Sequence, residues 1–368
     1  MKKTYSPVFI LVALTIINWG CKKENSVTPP IWDLSGKIIF NLHGGNLSGI
    51  NVIDLNSSEL TLSSIVTIGD EPRVNSNGDK IVYTGSQTGM IDIFTVNITG
   101  GTPIDLTPNS PSLTDSWPDW SPDGLSIAFN RVFYPGFKEA VCVMNKDGSN
   151  LHNLTDTSSL AVAVMPRWSS DRSNITFIGQ TSFKPPVDYN LYLINPDGSN
   201  QVLLDRIGSI LPSSLPSWSP DSRTIAYCKS NQTMDDTTGG LYVIDIVSRV
   251  SQKINVNGKR TSPAGYSWLP DGKLICVGIN PVDTSYEVFV VSNFSSSEGK
   301  LIARGLNYNA VTTPSPDGKH IAIFGTAKNG GTFALYVVNA DGNNFRKLKD
   351  IDNPKAFIVN YQYCQWLK

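Results

Sequence analysis

One short element recurs along the chain and limits the possible folds more than any other feature. A Trp-Ser-Pro-Asp-Gly segment, or a variant of it, precedes a triplet of strand-forming residues, as at positions 120–124 and 127–129. The first Ile of each triplet falls at positions 38, 81, 127, 175, 225, 275 and 321, so that one repeat is 43–50 residues long. Seven such copies indicate a repeat architecture, not the two or three independent domains that a chain of 368 residues would otherwise suggest.

Each repeat holds enough strand-forming segments for one antiparallel sheet of four strands. After the triplet come a loop, a second apolar run such as residues 191–194, a turn that is often Asp-Gly, and a short final strand. Short strands separated by Asp-Gly turns are typical of hairpins, and four strands are the content of one propeller blade. Because no segment shows a sustained apolar period of 3.6 residues, the sequence predicts an all-β propeller.

The recurring segment has a physical reason at each of its positions. Pro presets φ for a turn, Asp hydrogen-bonds the local backbone, and Gly supplies a positive φ before the next strand. The preceding Trp is a large apolar wedge that fills the space between stacked sheets. The pattern resembles the repeats of TolB-type β-propellers, which are related to the WD-repeat-like propellers that precede the hydrolase domain of some oligopeptidases. The resemblance covers about residues 34–368.

The two ends of the repeat region predict how the ring of blades closes. Residues 361–368 have the pattern of a Trp strand with nothing after it, whereas the first repeat lacks a leading strand. We therefore expect the C-terminal strand to complete the N-terminal blade, which gives seven blades and removes open sheet edges. Two alternatives are six blades, the number that the resemblance to TolB implies, and eight, if Trp32 supplies the wedge of the first blade.

The first 33 residues have the pattern of an export signal followed by a tether. Lys2 and Lys3 precede an apolar run of about ten residues, too short to span a bilayer, which needs about 20. Gly20 and Cys21 follow, and this ending resembles the lipobox of bacterial lipoproteins. We predict a signal peptide at 1–20, lipidation of Cys21, a polar tether at 21–33, and an outer-membrane anchor facing the periplasm or the cell surface. The alternative is an ordinary secretory signal on a secreted or periplasmic protein.

Charge and motifs favour neither nucleic-acid binding nor catalysis. The formal net charge is −1, so the composition indicates no polyanion-binding surface. The sequence contains no G-x-S-x-G, no H-E-x-x-H and no phosphate-binding loop. Because His43, His152 and His320 fall at different places in their repeats, we expect no metal site, no cofactor and no enzymatic activity. The sequence predicts four buried free thiols in the strands, at Cys142, Cys228, Cys276 and Cys364.

Two groups of residues are candidates for binding. The loops between the second and third strands of two repeats are long and aromatic, and loop aromatics on a rigid scaffold are typical interface anchors. Their candidates are Phe133, Tyr134, Phe137, Phe183 and Tyr189. Strand alternation beside the wedge positions predicts a second group at the mouth of the central channel: Arg73, Asp119, Arg167 and Tyr266.

These features predict a monomeric, non-catalytic envelope protein that binds a protein partner through its axial-face loops, with no membrane contact beyond the lipid. The resemblance to TolB implies that the partner is another envelope protein or a peptidoglycan-associated lipoprotein. The alternative is a carbohydrate-binding or carbohydrate-active propeller with its site at the channel mouth. Hydrolytic activity would need two carboxylates about 5–10 Å apart at that site.

Overall fold

A computed structural model describes residues 34–43, 48–86, 89–108, 114–184, 188–208, 215–229, 239–262, 265–296, 298–307, 310–351 and 364–368. Within these ranges every regular element is a β-strand, and the strands form seven four-stranded sheets. Residues Ser35–Lys368 form one compact unit. The described ranges hold no helix of the length and apolarity needed to cross a membrane. The predicted signal peptide, Cys21 and the tether lie outside the described residues.

The seven sheets are the blades of a propeller, numbered here in chain order and described from the innermost strand outwards. Blade 1 consists of β28 (Gln365–Leu367), β1 (Lys37–Leu42), β2 (Gly49–Asp54) and β3 (Thr61–Val66). Blade 2 consists of β4 (Asp70–Val74), β5 (Lys80–Gly85), β6 (Asp92–Asn97) and β7 (Ile104–Asp105). Blade 3 consists of β8 (Asp115–Trp120), β9 (Ser126–Phe133), β10 (Lys138–Asn145) and β11 (His152–Asn153).

The other four blades follow the same order without interruption. Blade 4 consists of β12 (Val162–Trp168), β13 (Ile175–Gln180), β14 (Tyr189–Ile194) and β15 (Val202–Gly208). Blade 5 consists of β16 (Ser217–Trp218), β17 (Thr224–Lys229), β18 (Gly240–Asp245) and β19 (Ser251–Lys253). Blade 6 consists of β20 (Ser267–Trp268), β21 (Leu274–Ile279), β22 (Tyr286–Val291) and β23 (Lys300–Leu306). Blade 7 consists of β24 (Val311–Pro314), β25 (His320–Gly325), β26 (Ala334–Asn339) and β27 (Arg346–Asp350).

The ring closes through the C-terminal strand, as the sequence predicts. Strand β28 pairs antiparallel with β1, so that Ile38 lies opposite Trp366. The indole Nε1 of Trp366 also donates a hydrogen bond to the carbonyl of Ser35 at 2.9 Å. The side-chain oxygen of Gln365 accepts a hydrogen bond from the backbone N–H of Val74 in blade 2 at 2.8 Å. Blade 1 is therefore built from both ends of the repeat region, and the prediction of seven blades is confirmed.

The Ser-Pro-Asp-Gly turns join the first and second strands and are held by their own side chains. In blade 3, Ser121 Oγ donates to Asp123 Oδ1 at 2.6 Å, and Gly124 has a φ of 67°. The same Ser-to-Asp hydrogen bond recurs in blades 4, 5 and 7. Blades 4 and 5 place Arg172 and Ser222 at the position of the Gly, with φ of 65° and 58°. The turn geometry is therefore kept even where a side chain must adopt a conformation that favours Gly.

Wedge tryptophans connect neighbouring blades by packing and by hydrogen bonds. Trp120, Trp218 and Trp268 are each no more than 8% exposed. Each indole N–H donates at 3.1 Å to a main-chain carbonyl on the innermost strand of the preceding blade, at Arg73, Arg167 and Ser217 respectively. The wedge therefore fixes the spacing between innermost strands, which decides what lines the axis.

The four cysteines of the propeller are core residues. Each is buried and none of the four forms a disulfide. Burial raises the pKa of the Cys142 and Cys276 thiols to about 12, because apolar surroundings disfavour the thiolate. The predicted burial of all four cysteines is confirmed.

Candidate functional site

The innermost strands of blades 2, 3 and 4 share a bulge directly before the residues that face the axis. In each strand a residue with positive φ precedes a proline: Glu71 at 56°, Trp117 at 53° and Met165 at 57°. The pairing with the second strand is interrupted at the same points. Because a bulge re-aims the side chains next to it, the residues after the three prolines are directed to the axis: Arg73, Asp119 and Arg167.

A cavity of about 370 Å³ lies on the axis and is lined by residues from the innermost strand of every blade. Blades 2, 3 and 4 contribute Arg73, Asp119 and Arg167, here called the charged arc. The other blades contribute hydroxyl and amide groups, here called the polar arc: Ser217, Ser267, Thr312 and Gln365. The wall is therefore two-sided, with two cations and one anion on one half and neutral polar groups on the other.

The aspartate of the charged arc lies between the two arginines. Asp119 Oδ1 is 3.8 Å from Arg73 Nε and 3.8 Å from Arg167 Nη1. Its other oxygen, Oδ2, accepts a hydrogen bond from the backbone N–H of Trp168 at 2.9 Å. Arg167 is 5% exposed, and its Nη1 donates to the carbonyl of Pro166 at 2.8 Å. The carboxylate and the Arg167 guanidinium are thus held in the wall by backbone contacts.

The polar arc is also fixed by hydrogen bonds between blades. Ser267 Oγ and Thr312 Oγ1 lie 3.1 Å apart, which joins blades 6 and 7. The carbonyl oxygen of the Gln365 side chain is held by the N–H of Val74 in blade 2. The hydroxyl groups can each donate and accept, so this half of the wall suits uncharged polar groups.

A buried carboxyl, Glu71, lies on the same strand as Arg73. Its Oε2 accepts hydrogen bonds from Thr84 Oγ1 at 2.6 Å and from the backbone N–H of Trp117 at 2.5 Å. Because Trp117 belongs to blade 3, this carboxyl connects blades 2 and 3. Burial raises the pKa of Glu71 to about 7, and the two hydrogen bonds only partly oppose that rise. The group therefore titrates near neutral pH.

The structure brings the four polar candidates from the sequence together at one place. Arg73, Asp119, Arg167 and Tyr266 all line the axial cavity. The Tyr266 hydroxyl donates to the carbonyl of Leu215 at 2.6 Å, so this residue is a buried part of the wall. Ser170, which belongs to the turn of blade 4, lines the same cavity. The cavity therefore lies towards the ends of the innermost strands that carry these turns, here called the turn end. That these residues bind a ligand stays a prediction.

The aromatic candidates lie at the opposite ends of the strands, here called the aromatic end. Tyr134 and Phe137 are 66% and 57% exposed, with ring centroids 5.9 Å apart in an edge-to-face arrangement. Phe183, in the equivalent loop of blade 4, is 52% exposed. The expectation of a loop position is wrong for Phe133 and Tyr189, which are half-buried strand residues paired with neighbouring strands. The aromatic candidates do not line the axial cavity.

Sequence reasoning missed Glu71 and the whole polar arc. A second repeated signal could have found one residue of the polar arc, because a proline stands two residues before the wedge position in four consecutive blades. These prolines are Pro72, Pro118, Pro166 and Pro216. The residue between proline and wedge is Arg73, Asp119, Arg167 or Ser217, so this signal would have added Ser217 to the three charged candidates.

The three histidines occupy separate blades. His43 Nε2 lies 3.2 Å from a carboxylate oxygen of Asp70 in blade 2. His152 is exposed on β11, and the ring of His320 stacks on Trp366 at 6.4 Å between centroids. In the part of the chain that the structure describes, no group of three or more His, Cys, Asp or Glu residues is placed to hold a metal ion.

Comparison with known proteins identifies the class of propeller. The family model described as the TolB beta propeller domain matches residues 175–356. The match covers just under half of the chain, and over these residues the sequence is similar to that domain. With its seven blades, the chain has the fold of a TolB-like β-propeller. Among curated proteins, none matches the sequence.

Several solved structures share the fold. An oligogalacturonate lyase in complex with manganese has a TM-score of 0.62 and 13% identity, over 89% of this chain and 90% of that chain. The β-propeller domain of the Trilobed protease from Pyrococcus furiosus has a TM-score of 0.57 and 13% identity, over 87% and 97%. TolB from Acinetobacter baumannii has a TM-score of 0.50 and 14% identity, over 89% and 81%. At such identities the similarity concerns the fold alone.

Proposed function

We propose that this protein is a non-catalytic binding propeller of the bacterial cell envelope, which engages a protein partner through its aromatic end. The observation that carries the proposal is the group of exposed aromatic side chains on neighbouring blades. Tyr134, Phe137 and Phe183 are each more than half exposed. Single exposed apolar residues are ordinary on a protein surface, but adjacent aromatics on a rigid scaffold are typical anchors of interfaces.

The envelope location in this proposal rests on the N-terminal sequence. The basic start, the short apolar run and Cys21 favour export and a lipid anchor. A tether of polar residues would leave the propeller free to meet a partner at a distance from the bilayer.

Site-specific cross-linking tests the partner proposal. A photoreactive phenylalanine analogue is placed at Tyr134 or, as the control, at Val247, which is 76% exposed at the turn end. We expect a defined envelope protein to cross-link from the first position and not from the second. The double variant Tyr134→Ala/Phe137→Ala should weaken binding of that protein by at least about 30-fold, since even one interface anchor contributes about 2 kcal/mol. Equal cross-linking from both positions, or unchanged binding by the double variant, would contradict the proposal.

The second candidate function is carbohydrate binding, and the observation that favours it is the polar axial cavity. Cavities of about 300–1,000 Å³ with a few convergent polar groups are typical small-molecule sites. One structural neighbour is a lyase of oligogalacturonate. Among the described residues that line the cavity, Asp119 is the one carboxylate, whereas glycoside hydrolysis uses two. The described part of the cavity therefore favours carbohydrate binding over glycoside hydrolysis as the second candidate function.

A further inference from the structure

We propose that the partner places one positively charged side chain, of lysine or arginine, between blades 3 and 4 at the aromatic end. The ammonium or guanidinium group of that side chain binds the carboxylate of Glu139. The rings of Tyr134, Phe137 and Phe183 contact the apolar surface of the partner beside it. This inference rests on the proposed function, a protein partner at the aromatic end, and names the chemistry that the partner brings there.

Glu139 lies at the aromatic end of blade 3 and faces blade 4. It is the second residue of β10, directly after the loop of residues 134–137. Residues two apart on a strand share a face, so Glu139 points to the same side as Val141, which packs in an apolar cluster with residues of blade 4. Burial and the negative charge of Glu139 raise the pKa of Tyr189, the first residue of β14 in blade 4. The carboxylate therefore lies where blades 3 and 4 meet at the aromatic end.

A chain of hydrogen bonds fixes the position of this carboxylate. Asn130 Nδ2 donates to Glu139 Oε2 at 3.0 Å, and Ser116 Oγ donates to Asn130 Oδ1 at 2.8 Å. The chain leads from β10 through β9 to β8, so three strands of blade 3 hold the group. A carboxylate has two oxygens and can accept several hydrogen bonds, so the contact with Asn130 leaves capacity for the donors of a lysine or an arginine.

Within the described residues, no ion pair joins Glu139 to a lysine or an arginine. The two cations of the β9–β10 hairpin are engaged elsewhere. Arg131 donates to Asp115 at 2.8 and 2.6 Å, and Lys138 Nζ donates to the carbonyl of Thr157 at 2.6 Å. Burial raises the pKa of Glu139 to about 7, and its side-chain hydrogen bond only partly opposes that rise. Because burial without an opposite charge disfavours the ionised carboxylate, a cation from the partner stabilises it and an anion does not.

The aromatic rings near this position favour a partner in which the cation is flanked by apolar groups. Tyr134 and Phe137 of blade 3 and Phe183 of blade 4 are exposed in the loops of two neighbouring blades. Aromatic rings attract cations to their faces, and the stems of lysine and arginine are themselves apolar. The described part of the blade 4 loop carries one cation and one anion, Lys184 and Asp188, so it adds no net charge. These features together match a lysine or an arginine with apolar neighbours.

Selection from a library of random peptides displayed on phage tests the inference without knowledge of the partner. The purified protein is the target. Peptides that also bind the Tyr134→Ala/Phe137→Ala variant are discarded, so that the retained peptides depend on the aromatic end. We expect the retained peptides to be enriched in lysine or arginine next to apolar residues, relative to the unselected library.

One enriched peptide then serves as a defined probe in a binding titration. Glu139→Gln, which keeps an oxygen that can accept from Asn130, should weaken binding of the peptide by about tenfold, equivalent to about 1.4 kcal/mol. Glu59→Gln, at an exposed position of blade 1, removes the same charge and should leave binding unchanged. Replacing the cation of the peptide by glutamine should also weaken binding by about tenfold, and the two changes together should cost no more than either alone.

The contrary results separate this inference from the proposed function. Retained peptides without enrichment of cations overturn the inference and leave the aromatic end as the binding surface. Equal binding by the wild type and Glu139→Gln, or additive effects of the two changes, overturns the contact between Glu139 and the cation. Should Glu139→Gln fail to fold, the glutamine peptide on the wild-type protein decides, since unchanged binding of that peptide overturns the inference. If no peptide distinguishes the protein from the Tyr134→Ala/Phe137→Ala variant, both this inference and the proposed function are contradicted.

Discussion

Replacing Glu71 by Gln removes a titrating group from the contact between blades 2 and 3 and keeps its shape. The side-chain oxygen of Gln can still accept from the Thr84 hydroxyl and from the backbone N–H of Trp117, which are the two partners of Glu71 Oε2. The expected effect of Glu71→Gln therefore concerns the pH dependence of stability and not the fold.

The magnitude follows from the shift in the pKa of Glu71. Burial raises that pKa from 4.5 to about 7, and one unit corresponds to about 1.4 kcal/mol. Below pH 4.5 the carboxyl is protonated in the folded and in the unfolded chain. As the pH rises to about 7, Glu71 loses its proton in the unfolded chain before it does in the folded chain. The free energy of unfolding therefore falls by about 3 kcal/mol relative to acid conditions. In the Gln variant this decrease does not occur, because Gln does not titrate.

Thermal unfolding at pH 4.5 and at pH 8 measures the effect. For a unit of about 330 residues, an unfolding entropy of about 2.1 cal/mol/K per residue converts 3 kcal/mol into about 4 °C. The Tm of Glu71→Gln minus that of the wild type should therefore increase by about 4 °C between the two pH values. Glu59→Gln, at an exposed position, controls for the loss of a negative charge. A difference for Glu71→Gln that stays constant, or falls towards pH 8, would refute the reasoning.

Three further predictions concern closure, thiols and anchoring. Trp366→Ala should destabilise the propeller by about 3–5 kcal/mol, because the wedge of blade 1 is 6% exposed; Phe345→Ala, at a 37% exposed ring, should have a much smaller effect in the same thermal scan. In a Cys21→Ser background, Ellman's reagent at pH 8 should find no reactive thiol in the native protein and four after unfolding in guanidinium. In the full-length chain Cys21→Ser should move the protein out of the membrane fraction, and unchanged fractionation would contradict the lipobox interpretation.

The fold could be predicted from the sequence because its signals are local and repeated. The Ser-Pro-Asp-Gly segment encodes a turn in a few consecutive residues, and each copy marks the start of one blade. The unmatched strand at the C-terminus predicts its pairing with β1, which the opposition of Ile38 and Trp366 bears out. Alternation also places Arg73, Asp119 and Arg167 beside the wedges, where the structure has them.

The composition of the site could be predicted only in part. The bulges at Glu71, Trp117 and Met165 change the alternation of side chains within a strand, and no simple period of two reports them. Three residues of the polar arc, Ser267, Thr312 and Gln365, lack the proline that precedes Ser217, so the sequence does not indicate that they meet across the ring. The loops near Phe133 and Tyr189 looked longer than they are because strands β9 and β14 extend into them.

The distribution of charge around the ring is not something that folding requires. Each wedge hydrogen bond uses a main-chain carbonyl, which any residue supplies: Trp218 donates to the carbonyl of Arg167, and Trp268 to that of Ser217. Ser217 therefore performs in blade 5 the same structural task that Arg167 performs in blade 4. A guanidinium that is 5% exposed needs compensating groups, and the Pro166 carbonyl and the Asp119 carboxylate supply them here, whereas a serine needs no such support. The wedge contact therefore does not decide which side chain faces the axis, and this contrast within one ring makes the axis a candidate for binding.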